Sequence, residues 1–388
     1  MVVGARAAGA ATALLLGRLG HNVVLVDRAL FPADTVSTHQ IARTGVVALH
    51  RWGLLSAVLA SGAPAIRQIE FNAAGREPVT RRVKDRAGVD LLVAPRRYVL
   101  DTLVAEAAAR AGVHMRLGVV VSGVRRDDTG RVVGVIGRDR AGSTVRIDAR
   151  FVVGADGLGS RVARSVAAPV TEYRGNDGAV QYAYFAGLDW PGIELFIADR
   201  AIAGVFPTHD GEACVWVCAP SVDTRAARRC AASRTEAFLT QLHHAAPGLA
   251  ARLRAGRRTS PVAGMLRAPN QVRLAHGPGW ALVGDAGYHR DAVTGYGISD
   301  AYRDAELLAV VLDRALCGAS DDHTALAAYQ HRRDRALRGV FELTCSMAAY
   351  PPVPEFVELQ KRLGRAIEVE AAELADRPVP GERELVCA

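Results

Sequence analysis

A chain of 388 residues suits two domains with a terminal extension better than one domain. Half of its residues are apolar and 23% are charged, ordinary globular proportions that exclude a disordered or low-complexity chain. The net charge of +8 is nearly all arginine, Lys84 and Lys361 being the only lysines, and no basic run is interleaved with aromatics, which argues against a nucleic-acid partner.

Taken in chain order, residues 2–27 read as strand, glycine turn, helix and strand, with Gly20 closing a helix over 10–19. The alanine- and leucine-rich stretch after Arg6 has the look of a secretory signal, but no cleavage pattern follows it and a buried strand begins at once. The first strand is short, so the natural chain is expected to start upstream of Met1. A helix over 97–111 puts Leu100, Leu103, Val104 and Ala107 on one face, and Gly112 ends it. Hairpin segments at 119–124 and 132–137 and a strand at 149–153 come next. From 173 to 220 the residues alternate as in antiparallel sheet, with a turn at His209-Asp210-Gly211. A helix over 235–245, a short buried strand over 280–283, glycine turns and a helix over 298–316 follow. The tail from 324 is helical, broken at Tyr350-Pro351-Pro352.

No apolar run reaches the roughly 18 residues of a membrane helix, so a cytoplasmic chain without a span is expected. The six cysteines (Cys214, Cys218, Cys230, Cys317, Cys345 and Cys387) form no C-x-x-C pair and have no histidine spacing suited to zinc, so no metal site is expected.

Three turns carry chemistry. Gly4-Ala5-Arg6-Ala7-Ala8-Gly9 follows the first strand, where glycines let a pyrophosphate approach a helix N-terminus; Arg6 replaces the usual middle glycine and offers a guanidinium to a phosphate. Asp27 ends the second strand, 18 residues after Gly9, where an acid accepts hydrogen bonds from an adenosine ribose. Val152-Val153-Gly154-Ala155-Asp156-Gly157 is the second turn. The third is Leu282-Val283-Gly284-Asp285-Ala286-Gly287, followed by Gly295-Tyr296-Gly297 at a helix start. One Gly-Asp pair is noise. Three glycine-and-acid turns, each after a buried strand, are one ligand site.

Gly154-Ala155-Asp156-Gly157 and Gly284-Asp285-Ala286-Gly287 resemble the paired signatures of the single-chain FAD-dependent aromatic hydroxylases of the para-hydroxybenzoate hydroxylase fold. Gly4-Ala5-Arg6-Ala7-Ala8-Gly9, Ser37-Thr38-His39 and the run from Gly284 through Ala305 further resemble an actinobacterial branch of FAD-dependent oxidoreductases. The resemblance covers about residues 1–315. It implies an α/β fold: a Rossmann-like FAD-binding domain (1–68, 94–164 and 262–323), an inserted antiparallel-sheet substrate domain (69–93 and 165–261) and a C-terminal helical extension (324–388). Carried over, Gly4, Arg6 and Gly9 line the FAD pyrophosphate, Asp27 the ribose and Asp285 the ribityl chain. Arg97 contacts FAD, Asp156 supports a turn shared by FAD and NAD(P)H, and Gly295 and Gly297 flank the flavin edge. The branch usually has proline at the position of Ala292 and glutamine at that of Tyr296.

His39, His289 and Asp291 are the candidate catalytic residues, against the alternatives of a loop histidine and a salt-bridged loop. Tyr182, Tyr184, Phe206 and Trp216 lie in the inserted sheet expected to roof the flavin, although strand aromatics are more often core. The leading expectation is a monooxygenase using NAD(P)H and O2 on a small aromatic or polyketide-like substrate in secondary metabolism, with a partner flavin reductase as another electron source. The alternative is a prenyl reductase-like enzyme acting on carbon–carbon bonds, or a non-catalytic FAD-binding protein. A halogenase is disfavoured, because the segment around Trp216 has one tryptophan and Lys84 lies in an arginine-rich stretch.

Overall fold

The structure is a computed structural model that describes residues 1–37 and 39–381, with positions 176 and 177 described by backbone alone. Thr38, in the Ser-Thr-His run, and Cys387 lie outside the described residues. Among the described residues the strands form sheets of six, nine and three strands.

The six-stranded sheet is ordered His276–Gly277, Trp280–Leu282, Val152–Gly154, Val2–Val3, Val24–Asp27, His114–Leu117. Its strands are parallel except for the hairpin at one edge, and the register sets Val2 beside both Leu25 and Val153. Both faces are covered, so these strands are short continuous apolar runs rather than alternating ones. The helices Ala7–Arg18, Arg97–Arg110 and Gly297–Leu316 pack together against one face.

The first helix begins at Ala7, three residues before the expected start, because Gly9 belongs inside it. A Cβ at Gly9 would lie 1.7 Å from the Gly4 carbonyl oxygen, so glycine there permits helix and turn to touch.

The nine-stranded sheet runs Tyr288–His289, Ala263–Arg273, Val170–Ala186, Ala213–Pro220, Ala201–Pro207, Ile193–Ala198, Gln68–Ala73, Val79–Arg82, and Arg257–Arg258 adds to Val170–Ala186. Two-residue periodicity sorts its side chains. Ala183, Phe185, Val215 and Val217 face the helices Arg234–Ala245 and Pro247–Arg252. Tyr182, Tyr184, Phe206 and Trp216 face the main core. This sheet continues past the expected boundary at 261, since Ala263–Arg273 pairs along Val170–Ala186.

The chain also forms elements that the sequence pattern left unassigned: helices Arg43–Arg51, Leu55–Ala60 and Ser221–Cys230 and strand Thr144–Asp148. The tail forms two helices, Asp322–Ala348 and Val353–Ala375, which break where Tyr350 takes a φ of 50° before two prolines. The last helix lies on Arg43–Arg51 and Asp322–Ala348, so it is part of the body of the molecule.

Candidate cofactor and active site

A cavity of about 660 Å³ opens at the carboxyl ends of the parallel strands, where ligands bind in doubly wound sheets. Its walls include Gly4, Arg6, Asp27, Arg97, Asp156, Asp285, Gly295 and Gly297 from the expected cofactor set. Gly9 is not in the wall; its contribution is the helix–turn packing described above.

At one end Gly4 holds a φ of 101° with its α-carbon tight against the Ala155 backbone, where a Cβ would come 2.4 Å from the carbonyl oxygen. Asp27 organises this turn: its Oδ2 accepts from Ala5 N–H at 2.7 Å and its Oδ1 from Ala29 N–H at 2.7 Å. The Ala7–Arg18 helix has no side-chain cap at Arg6, so its first-turn N–H groups remain available to an anion. Arg6 donates to Asp101 Oδ2 at 3.1 Å and to the carbonyls of Ala33 and Asp34 at 3.2 and 3.0 Å. Arg97 donates to the same fully buried Asp101 at 3.0–3.1 Å. Two guanidiniums share one carboxylate, leaving one net positive charge beside the turn. Asp101 was not singled out in the sequence, although its i+4 spacing from Arg97 was visible there.

Asp156 is a structural residue: it accepts from the Ser160 hydroxyl and from the N–H groups of Arg161 and Val162 at 2.6 and 3.2 Å, holding the start of Arg161–Ser165. Asp285 differs. Its carboxylate is exposed in the cavity wall and has no side-chain or backbone partner among the described residues.

The inner end lies between the glycine turn 295–297 and the inserted sheet. His289 Nδ1 lies 2.7 Å from the Pro269 carbonyl, and the Asp291 oxygens accept from Gly178 N–H at 2.8 Å and Val293 N–H at 2.9 Å. Both residues line the cavity, yet the contacts these atoms make fix the loop. Tyr296 turns its hydroxyl away to Thr44 at 2.6 Å and to Glu370 on the last helix. Around it, Arg290 pairs with Asp300, and Arg303 reaches Asp300, Asp304, Glu370 and the Tyr288 hydroxyl at 2.7–2.9 Å. Burial raises the carboxyl pKa of Asp300 and lifts that of Asp304 to about 6, against the neighbouring arginines. Glu370 carried no sequence signal, because 74 residues separate it from Tyr296.

Of the residues expected at the substrate end, Tyr182 lines the cavity, while His39, Tyr184, Phe206 and Trp216 stand behind its wall. His39 is buried at a φ of 66°, stacked on Tyr184 at 5.5 Å and edge-on to Tyr182 at 6.0 Å. Burial, then the charges of Arg97, Arg96 and His209, hold its pKa well below the usual histidine value, so the ring is neutral. Arg96, also missed in the sequence, lies 3.7 Å above the Tyr184 ring.

A family model described as an FAD binding domain matches residues 1–344. The chain belongs to that family. It is an FAD-dependent oxidoreductase with the fold of the para-hydroxybenzoate hydroxylase class. Among curated relatives it is 28% identical over 320 residues to a menaquinone reductase of Mycolicibacterium smegmatis, covering 77% of this chain and 72% of that one. It is 27% identical over 364 residues to a kynurenine 3-monooxygenase of Salinispora arenicola, covering 86% and 75%. Among solved structures, pqsL, described as a probable FAD-dependent monooxygenase from Pseudomonas aeruginosa, superposes with a TM-score of 0.78 at 24% identity over 93% of this chain and 98% of that one. The flavin-dependent brominase Bmp2 gives 0.82 at 17% identity over 97% and 93%. At such identities these two establish the shared fold alone.

The residues present fit FAD. The cavity volume lies in the range of about 300–1,000 Å³ usual for cofactor sites. The uncapped helix start and the Arg6–Arg97 pair suit a pyrophosphate, and the unpartnered Asp285 suits a polyol. Among the described residues no helix is long and apolar enough to cross a membrane. One group of possible metal-ligating side chains, His21, Asp313 and Cys317, lies apart from the cavity wall.

Proposed function

We propose that the protein is a monooxygenase using NAD(P)H and O2 to hydroxylate or epoxidise a small aromatic or polyketide-like substrate, in a cytoplasmic, secondary-metabolic setting. The observation that carries this reading is the inner wall with its apolar and tyrosine lining. Val180, Tyr182, Met265 and Ala268 line the cavity there, with Tyr184, Phe206 and Trp216 packed in the main core behind it. That wall suits a compact planar molecule. FAD, when bound, supplies electron transfer and oxygen activation; the chain supplies position, dryness and electrostatics.

Tyr182 is the residue we assign to substrate orientation. Its hydroxyl accepts from Ser37 N–H at 3.2 Å, and burial pushes its pKa up to about 12, so it stays protonated near neutral pH. Its O–H can therefore donate to an acceptor on the substrate. His39 fixes the Tyr182 ring as a neutral, positioning neighbour. Arg97 and Asp285 hold the cofactor from the cavity wall, and Gly295 and Gly297 let the flavin edge approach the start of Gly297–Leu316.

A second reading, reduction of a carbon–carbon double bond in a prenyl-like substrate, is favoured by the likeness to the menaquinone reductase. Turnover under 18O2 separates the two. Labelled oxygen in the product is the expected outcome. Substrate conversion under strict anaerobiosis, with no oxygen gained, would overturn the monooxygenase and leave the reductase.

A further inference from the structure

We infer that His21, Asp313 and Cys317 form a binding site for a zinc-type divalent cation, which staples together the far ends of two helices whose starts line the cofactor cavity. The site goes beyond the proposed reaction and does not depend on it.

Helix Ala7–Arg18 begins at the pyrophosphate turn and helix Gly297–Leu316 at the flavin edge, and the two pack together. Each ends in a glycine turn that fixes the residues around it. After the first helix Gly20 takes a φ of 85°, and His21 N–H donates to the Leu16 carbonyl at 3.1 Å. After the second, Gly318 takes a φ of 76°, and Ala319 N–H donates to the Arg314 carbonyl at 2.8 Å. Asp313 and Cys317 lie one helical turn apart at that end and so share a face. His21 Nε2 is 2.8 Å from Asp313 Oδ1, and Cys317 Sγ is 3.7 Å from the same oxygen. One ligand atom from each of the three residues lies within 4.8 Å of the other two. Spacing in the sequence gave no sign of this, because 292 residues separate His21 from Asp313.

The donor set selects the ion. Imidazole and thiolate suit zinc and its neighbours in the transition series, whereas magnesium and calcium ask for oxygen alone. With zinc bonds of about 2.0–2.1 Å to nitrogen and oxygen and about 2.3 Å to sulfur, a tetrahedral site sets N···O near about 3.3 Å and S···O near about 3.6 Å. The thiol already stands at its distance from the carboxylate, and the His–Asp pair has to open by about half an ångström. There is room for a water to complete the shell: Cys317 is exposed, and a cavity of about 260 Å³ adjoins, lined by His21, Leu312 and Leu316. Arg150, the cation at this helix end, donates to the Ala315 and Leu316 carbonyls and pairs with Asp322, so its charge is balanced there.

The test titrates full-length, FAD-loaded, tag-free protein, first dialysed against a chelator, with zinc chloride followed by calorimetry, and with magnesium chloride for comparison. Expected is one zinc per chain with a Kd of about 10 µM or tighter, no magnesium binding in the same range, and a higher urea midpoint with zinc present. His21→Gln, Asp313→Asn and Cys317→Ser should each weaken zinc binding at least about tenfold while FAD stays bound. Cys317→Ser is the discriminating variant, because it leaves the His21–Asp313 hydrogen bond in place. A cobalt titration should show a thiolate-to-metal absorption band that this variant lacks. Zinc affinity unchanged in the three variants would place the ion elsewhere on the chain and overturn the inference. No saturable binding below about 0.1 mM would overturn it too, leaving a His–Asp pair beside a free thiol. Half an ion per chain with dimerisation would move the site between two copies and equally refute a staple within one chain.

Discussion

The two ends of the cavity are built on different principles. At the pyrophosphate end most contacts are short in sequence: Asp27 bonds Ala29 two residues away and Ala5 in the adjacent glycine turn, Asp156 bonds residues four to six ahead, and Arg97 bonds Asp101 one helical turn on, with Arg6 alone reaching Asp101 across 95 residues. At the inner end, Tyr296 and Arg303 reach Glu370 across 74 and 67 residues, and Gly178 donates to Asp291 across 113. The first end leaves cations and Asp285 facing open space; the second consumes nearly every charge inside the protein. A cofactor-gripping surface needs unpaired groups, whereas a wall that must stay dry needs paired ones.

The largest effect that sharpens this contrast falls on Arg303, whose side chain is 2% exposed. Arg303→Met leaves Asp300, Asp304 and Glu370 without their shared cation and should destabilise the fold by about 3–5 kcal/mol. Urea unfolding of the FAD-free protein measures it. A loss below about 1 kcal/mol would mean that the inner network is not a structural unit.

The same contrast explains what the sequence revealed. The pyrophosphate end was legible because a strand, a glycine turn and an acid at a strand end are local patterns, so Gly4, Asp27 and Asp285 could be placed in one cavity from spacing alone. The parallel sheet, the inserted sheet and the broken helical tail were legible for similar reasons of periodicity. Glu370 was not, because its meaning depends on where the last helix docks. Tyr296 could be flagged as unusual, but its contact with Glu370 could not be inferred. His39 was expected in catalysis and Tyr184, Phe206 and Trp216 at the substrate; two-residue alternation chose the face of the three strand aromatics, but the depth of the wall set all four behind Tyr182.

The next effect separates two acids at the cofactor itself. Among the described residues Asp285 makes no hydrogen bond or ion pair, so Asp285→Ala should cost FAD affinity about 10- to 150-fold, equivalent to about 1.5–3 kcal/mol, with stability of the FAD-free protein nearly unchanged. Asp27→Ala should lose FAD affinity and stability together, because Ala5 and Ala29 N–H lose their acceptor. Fluorescence titration with FAD and urea unfolding read the two quantities. Equal stability losses for both variants would erase the distinction between a ligand-facing acid and a turn-holding one.

Arg6 gives a smaller effect. Its guanidinium is anchored to Asp101 and two carbonyls rather than free to swing. Arg97 still pairs with Asp101 in Arg6→Ala, so that variant should lose about 1.5 kcal/mol of stability and weaken FAD binding. Doubling it with Asp101→Asn should give a non-additive loss, the signature of a shared carboxylate. Strict additivity would dissolve the proposed unit.

The smallest expected effect is a slope in pH. His39 is neutral in the folded protein because burial, Arg97, Arg96 and His209 all oppose its protonation. Its folded pKa therefore lies below the unfolded value of about 6.5. Below that value the unfolded chain binds a proton that the folded one does not, so stability falls as pH falls through it. Asp304 acts with the opposite sign: its folded pKa of about 6 lies above the unfolded carboxyl value, so its contribution is lost as pH rises towards 6. Near pH 5–6.5 the two slopes oppose, and removing His39 should expose the other. Asparagine is the right replacement, because the φ of 66° is one that Asn tolerates better than most residues. His39→Asn should remove up to about 1.4 kcal/mol of stability change per pH unit from the acid limb below 6.5, leaving the protein relatively more stable at pH 5 than at pH 8 when compared with the parent. Urea unfolding across that range decides it. Parallel pH profiles for the two proteins would mean that His39 takes up a proton in the fold, and its assignment as a neutral neighbour of Tyr182 would fall.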